Sequence, residues 1–216
     1  SVIGTYQIID LALRNNAKVV FTSTSEIYGD PLEHPQKESY LGNVNTVGPR
    51  SCYDEGKRCS ETILYDYMKS QNLDVNIMRI FNTYGPYMAV GDGRVISNFI
   101  VNALKNNDLC INGDGLQTRS FCYLDDTVDA LLKLSNTNEF GPINIGNINE
   151  RSILDVARII IELTESNSKI IFNQMPQDDP TRRKPDITKA KKILNWSPTV
   201  SLEDGLELTI DYFKNI

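Results

Sequence analysis

The chain has 216 residues, 22 Lys and Arg against 28 Asp and Glu, a net charge of -6 and 40% hydrophobic residues, which is enough for one large core or two small ones that share a surface. This balance excludes a surface given over to nucleic acid, although a local cluster such as Arg182-Arg183-Lys184 suits a small anionic molecule. The longest apolar runs fall far short of a membrane span and no charged-then-apolar leader opens the chain, so no membrane segment is expected within it.

In chain order, residues 1–16 carry Val2, Ile3, Tyr6, Ile9, Leu11 and Leu13 at mixed helical spacing and end on Asn15-Asn16, which predicts a helix. Residues 18–22 (KVVFT) are short, apolar and β-branched, the pattern of a buried parallel strand. The strand runs into Ser23-Thr24-Ser25-Glu26-Ile27-Tyr28-Gly29-Asp30. Open α/β sheets bind ligands at the carboxyl ends of their strands; the same composition also describes a hydroxyl-rich turn that satisfies its own backbone.

Residues 31–50 read as a loop rich in Gly, Pro and Asn, and the helix after it turns Ile63, Leu64 and Tyr67 towards a core. At its start the helical period stacks Tyr53 and Lys57 on one face. A phenol with a pKa near ~10 is a poor base at neutral pH, and a neighbouring ammonium stabilises its phenolate. Tyr-x-x-x-Lys is thus a compact acid/base pair, though an isolated match describes many solvated helix faces. Residues 74–80 (DVNIMRI) form the next strand, ended by Phe81-Asn82-Thr83-Tyr84-Gly85-Pro86. Strand, helix and strand with polar ends on one side predict a right-handed βαβ crossover.

Gly91-Asp92-Gly93-Arg94 precedes an amphipathic helix to about Leu104, and residues 109–111 are a short strand before Gly113-Asp114-Gly115. Gln117-Thr118-Arg119 leads into Phe121-Cys122-Tyr123-Leu124 and a helix expected to be capped by Asp125 or Asp126. Residues 142–145 are a short sheet strand, and Ser152 with Asp155 forms a capping-box variant for a helix to Leu163. Residues 169–172 read as a strand, 178–185 as a charged loop, and 186–194 and 201–213 as amphipathic helices. Cys52, Cys59, Cys110 and Cys122 show no C-x-x-C spacing and read as reduced, structural residues of a cytosol-like compartment.

Four polar groups fall where a shared cleft is possible: the Thr24 to Glu26 turn, the Tyr53/Lys57 pair, Asn82-Thr83, and the arginines Arg94, Arg119 and Arg183. A hydroxyl, a Tyr and a Lys together can deprotonate an alcohol as hydride leaves its carbon, chemistry that needs a nicotinamide. Arginines from distant segments suit a diphosphate or a carboxylate, each guanidinium binding oxygens bidentately; any one of them alone reads better as surface solvation.

The strings TSTSEIYGDPLEHPQKESYLGNVN, GPRSCYDEGKR, RIFNTYGP, DGRVISNFI and QDDPTRRKPDI, in this order, closely resemble the UDP-glucuronate decarboxylases (UDP-xylose synthases) of the extended short-chain dehydrogenase/reductase superfamily. Y-x-x-x-K with an upstream T-S-E-x-Y-G specifies the superfamily, while HPQ-x-E, YDEGKR and R-K-P-D point to the decarboxylase branch. The resemblance implies an α/β fold: a partial Rossmann-like doubly wound parallel sheet, its first half missing, with a smaller α/β substrate-binding domain. Residues 1–85 and 116–148 would be the remaining NAD-binding part, and 86–115 and 149–216 the nucleotide-sugar part.

By resemblance, Tyr53 takes the C4 hydroxyl proton, Lys57 lowers its pKa and holds the nicotinamide ribose, and Thr24 bridges to the sugar. Oxidation at C4 makes the sugar a β-keto acid, and loss of carbon dioxide leaves an enolate; Glu26 and Arg183 are implied to orient the carboxylate and serve reprotonation. Return of hydride gives UDP-xylose. Asn82 and Arg119 match diphosphate contacts, as Arg183 matches a substrate contact, and Thr22, Thr83 and Arg94 match positions beside NAD. No metal ligand is implied.

The family opens with a strand and a G-x-x-G-x-x-G turn that holds the NAD pyrophosphate, and no such motif occurs in these 216 residues. The expectation is therefore an incomplete chain that binds NAD very weakly and does not turn over alone. The helices at 1–16 and around Tyr53 resemble the superfamily's dimer-forming pair, implying a homodimer. The expected compartment is the cytoplasm, or the Golgi lumen if a preceding segment carries an anchor. Alternatives are a 4-epimerase or 4,6-dehydratase of the same superfamily, or a non-catalytic dimeric sugar-nucleotide-binding protein.

Overall fold

A computed structural model describes residues 1–175 and 182–216. Its first elements are α1 (Val2–Asn15), β1 (Val19–Thr24), a 3-10 turn (Ser25–Tyr28), α2 (Ser51–Gln71) and β2 (Val75–Ile80). There follow β3 (Thr83–Tyr84), α3 (Val95–Leu104), β4 (Leu109–Asn112), β5 (Thr118–Ser120), β6 (Cys122–Tyr123), α4 (Leu124–Ser135) and β7 (Ile143–Ile145). The chain ends with β8 (Glu150–Ser152), α5 (Ile153–Leu163), β9 (Ile170–Asn173), β10 (Arg182–Arg183), α6 (Thr188–Leu194) and α7 (Leu202–Lys214).

Strands β1, β2 and β7 form a parallel sheet in the order β1-β2-β7, with Thr24 opposite Ile80 and Ile80 opposite Ile145. Their carboxyl ends therefore meet at one edge. The central β2 alternates its side chains across the sheet, as the two-residue period requires. Val75 and Ile77 join Ile9, Ala12, Ile63 and Leu64 beneath α1 and α2. Met78 joins Ala130, Leu134, Ala190, Leu194 and Trp196 beneath α4 and α6. Helices on both faces of a parallel sheet match the α/β expectation. On the edge strand β1, Val20 and Phe21 are only half-buried and Thr22 is exposed.

A second core joins Ile96, Phe99 and Ile100 of α3, Leu109 and Ile111 of β4, Val156 and Ile160 of α5, and Leu206 and Ile210 of α7. Burying each such aliphatic side chain contributes roughly 1.5–3 kcal/mol. Two small sheets frame this region: β4 parallel to β9, and the order β10-β5-β8. In the latter, Arg183 lies opposite Arg119 in parallel register.

Most elements fall where the sequence puts them, and Ser152 does cap α5 by accepting from the Asp155 amide at 3.0 Å. The expected cap of α4 is different. Tyr123 occupies the cap position and no side chain caps it. Asp126 instead accepts from the amides of Thr199 (3.0 Å) and Val200 (3.0 Å) and from the Thr199 hydroxyl (2.8 Å), anchoring the segment before α7. The charged loop expected at 178–185 is also corrected: Arg182–Arg183 form β10, while residues 178–181 lie outside the described residues. Helix α6 starts at Thr188, after the Asp186 carboxylate accepts from the Thr188 amide at 2.8 Å. The four cysteines are free thiols, but only Cys122 is buried, so a structural role fits that residue alone. Among the described residues, no helix is long and apolar enough to cross a membrane.

Candidate active site

The polar ends of β1 and β2 open into a cleft of about 1060 Å³ between the parallel sheet and the α3/β4 region. All ten residues singled out from the sequence line it: Thr22, Thr24, Glu26, Tyr53, Lys57, Asn82, Thr83, Arg94, Arg119 and Arg183.

The turn after β1 is built by its own hydroxyl. Thr24 accepts from the Glu26 amide at 3.2 Å and so caps the 3-10 turn, as the backbone-satisfying reading of this stretch predicts. The turn closes at Gly29, whose φ of 63° suits glycine; a Cβ there would collide with the Asn43 carbonyl. The Gly29 carbonyl accepts from Arg183 Nη2 at 3.1 Å.

Helix α2 brings Tyr53 and Lys57 to the cleft on its first two turns. Tyr53 is half-exposed at 48%. Lys57 Nζ donates to the Thr22 carbonyl at 2.8 Å and lies 4.9 Å from the centre of the Phe21 ring. Burial lowers the Lys57 pKa below the usual ammonium range, opposed by the charge of Glu61.

Glu26 is clamped between two arginines. Arg183 Nη1 donates to Oε1 and Arg50 Nη2 to Oε2, the latter at 2.5 Å. Burial alone would raise the Glu26 pKa, but the guanidiniums of Arg183 and Arg50 hold it below the usual carboxylate value. Arg183 is 2% exposed, and its Nε has no hydrogen-bond partner among the described residues. Arg119, also buried, donates through Nη1 to the Thr118 carbonyl at 2.9 Å. Thr83 donates to the Phe81 carbonyl and contacts the Thr127 hydroxyl at 3.0 Å. The Asn82 carbonyl accepts from the Cys122 amide at 2.8 Å. Arg94 is the most exposed of the basic three and pairs with Asp92 at 3.0 Å.

Sequence reasoning missed Arg50 and Asp54. Arg50 stands in the string GPRSCYDEGKR, but nothing in spacing says that its side chain turns back to Glu26. Asp54 is buried beside it, and burial together with the charge of Glu26 pushes its pKa up to about 6. Asn112 and Gln117 also line the cleft, and lone amides carry no sequence signal. Among the described residues no group of His, Cys, Asp and Glu is placed to hold a metal ion.

The cleft thus holds a phenol, an ammonium and a carboxylate bound by two guanidiniums, groups able to hold an anion and move a proton. The sequence profile of the GDP-mannose 4,6 dehydratase family matches residues 1–209. The chain belongs to this family of extended short-chain dehydrogenase/reductases.

Within the family, the chain is 50% identical over 214 residues to UDP-glucuronic acid decarboxylase 4 of Arabidopsis thaliana, covering 99% of this chain and 48% of the relative. It thus spans about half the length of that relative. Among solved structures it is similar to UDP-glucose 4-epimerase with UDP-glucose from Thermotoga maritima (TM-score 0.93, 28% identity, 99% of this chain and 69% of that one). It is also similar to UDP-glucuronic acid 4-epimerase from Bacillus cereus in complex with UDP-glucuronic acid and NAD (TM-score 0.90, 30% identity, 99% and 67%). The family assignment drawn from the sequence motifs agrees with these likenesses.

Proposed function

We propose that the polypeptide carrying this chain is a UDP-glucuronate decarboxylase that forms UDP-xylose through a 4-keto sugar. The observation that carries the reading is the buried Arg183 bound to Glu26 in the same cleft as Tyr53 and Lys57. A cationic group buried in that cleft suits a substrate that bears a carboxylate. The identity to a named decarboxylase supports it.

Thr22, Tyr53, Lys57, Thr83 and Arg94 are the residues assigned to NAD. An ammonium, hydroxyls and a guanidinium line the same cleft and are groups that suit ribose hydroxyls and a phosphate, so the residues present fit that cofactor. When bound, NAD supplies the two-electron chemistry that makes C4 a ketone and later an alcohol again. Tyr53 takes the C4 hydroxyl proton and later returns it, with Lys57 stabilising the phenolate and Thr24 bridging to the sugar. Asn82, Arg119 and Arg183 hold the diphosphate and uronate. Glu26 and Arg183 orient the carboxylate, which leaves as carbon dioxide with its electron pair delocalised onto the C4 oxygen, and they serve reprotonation by placing the solvent molecule that gives C5 its proton.

The division into an NAD part at 1–85 and 116–148 and a sugar-nucleotide part at 86–115 and 149–216 goes with this reading, except that α6 packs on the central sheet with β7 and α4. Residues 1–216 alone, without a Gly-rich turn, are proposed to bind NAD weakly and not to turn over. Ile3, Tyr6 and Leu11 of α1, exposed at 76%, 47% and 57%, support a homodimer through α1 and α2, which light scattering tests; a monomer at micromolar concentration contradicts it. The cytoplasm is the proposed compartment.

A second reading, a 4-epimerase acting on UDP-glucuronate, draws on the likeness to the Bacillus cereus enzyme. Product analysis after incubation with UDP-glucuronate and NAD separates the two: a pentose nucleotide supports decarboxylation, and a six-carbon uronate epimer defeats it.

A further inference from the structure

Glu61 lies one helical turn beyond Lys57, yet it does not line the cleft; its carboxylate turns into the protein. It accepts from the Ser23 hydroxyl of β1 at 2.5 Å and is bound bidentately by Arg79 of β2, from Nε at 3.1 Å and Nη2 at 2.7 Å. Arg79 continues inward through Nη1 to the Tyr28 hydroxyl at 2.9 Å and the Glu38 carbonyl at 3.1 Å. Tyr28 in turn donates to Asn144 of β7 at 2.8 Å. A single buried polar network thus spans α2 and all three strands of the central sheet.

The register of this network matters for the cleft. Thr22 and Ser23 are successive residues of β1: the first receives Lys57 through its carbonyl, the second donates to Glu61. Two successive residues of the strand are gripped by two successive turns of the helix. We propose that Glu61 is a positioning residue for the Tyr53/Lys57 pair, pinning α2 to β1 and β2 and supplying the negative charge that the Lys57 ammonium faces from its own helix. This rests on the reading of Tyr53 and Lys57 as the reacting pair.

The other groups around Lys57 do not supply that charge. Strand β1 offers the Thr22 carbonyl and the Phe21 ring and has no ionisable side chain. From β2, Arg79 is matched by Glu61 itself. On the 3-10 turn, Glu26 is held by Arg50 and Arg183, and on α1, Asp10 pairs with Arg14. On α2 itself the other titratable groups near Lys57 are Tyr53, the buried Asp54, which faces Glu26 and Arg50, and Glu55, which pairs with Arg58. Burial drives Lys57 towards its neutral form and Glu61 opposes this. A neutral lysine would no longer stabilise a phenolate.

The test is the NMR titration of Lys57 in the chain itself, using ¹³C-labelled lysine and a Lys57→Arg spectrum for assignment. In Glu61→Gln the Lys57 midpoint falls by about half a pH unit or more, and in Glu61→Asp, which keeps the charge, it stays closer to the wild-type value. Because Glu61→Gln leaves Arg79 buried without its counter-charge, the same titration is made on Glu61→Gln with Arg79→Gln, where a lowered midpoint is again expected. A Lys57 midpoint unmoved in the folded variants, with only thermal stability reduced, overturns the assignment and leaves Glu61 a structural residue. The titration needs no turnover. A failed decarboxylation assay would count against the proposed function and leave this result intact.

Discussion

Arg183 and Glu26 are 157 residues apart in sequence and form a buried ion pair in the cleft. One comes from a two-residue strand near the end of the chain and the other from the turn after the first strand. Removing Arg183 leaves Glu26 with Arg50 and takes from the site its most buried cation. Arg183→Ala is expected to weaken UDP-glucuronate binding about 10- to 100-fold, the equivalent of one charge-assisted bond at roughly 1.5–3 kcal/mol. UDP-glucose, which has no carboxylate, should lose much less. Calorimetry with both ligands checks this, and equal losses would mean that Arg183 serves only to hold the turn at Gly29.

Glu26 also sets an acid limit to stability. Its folded pKa lies below the unfolded value of 4.5, so its contribution is complete above that pH and is lost as pH falls through the folded pKa. Glu26→Gln should therefore narrow the gap in melting temperature to wild type as pH is lowered below about 4. A constant gap from neutral to acid pH would show that the ion pair does not stabilise the fold.

Asp54 has the opposite sign. Its folded pKa of about 6 lies above the unfolded value of 3.8, so the folded state binds this proton more tightly and stability falls as pH rises between the two. Asp54→Asn, neutral at every pH, should melt higher than wild type near pH 8 and nearly level with it near pH 4. Thermal melts across this range decide it; a destabilised variant at pH 8 would mean that the ionised carboxylate is needed.

The contacts of Asp126 give a prediction about the fold alone. Its carboxylate holds Thr199 and Val200, while its carbonyl accepts from the Trp196 indole at 2.9 Å. Asp126→Ala should cost roughly 2–4 kcal/mol, since several buried donors lose their acceptor, and should shift Trp196 emission to longer wavelength. An unchanged urea midpoint would show that water replaces the carboxylate.

The long helices were legible from apolar residues recurring at helical spacing, and the central strands as short apolar, largely β-branched runs ending in polar or Gly-containing turns. Strands β3, β6 and β10 were not, since two residues carry no period. Asp126 looked like a helix cap because it stands at the start of a helix, and only the return of residues 199–200 to that carboxylate gives it another task. The cleft itself was legible residue by residue through the family motifs, as Tyr53, Lys57 and Arg183 illustrate. Arg50 and Glu61 were not, because what matters in each is which way a long side chain turns, towards Glu26 in one and Ser23 with Arg79 in the other.

For a polypeptide that holds this chain together with a dinucleotide-binding half, Tyr53→Phe should abolish oxidation at C4 while leaving UDP-sugar affinity within a few fold, because the substitution removes a hydroxyl from a half-exposed ring. Reduced nicotinamide absorbance persisting during turnover of the variant would show that another group takes the proton.

Arg183, Glu26, Tyr53 and Lys57 are proposed to serve loss of a carboxylate followed by reprotonation. The most direct measurement is NMR of the product formed by that complete polypeptide from UDP-glucuronate and NAD in deuterated water. Release of carbon dioxide and a UDP-pentose with one deuterium at C5 are expected. A six-carbon product that keeps its carboxylate would contradict it.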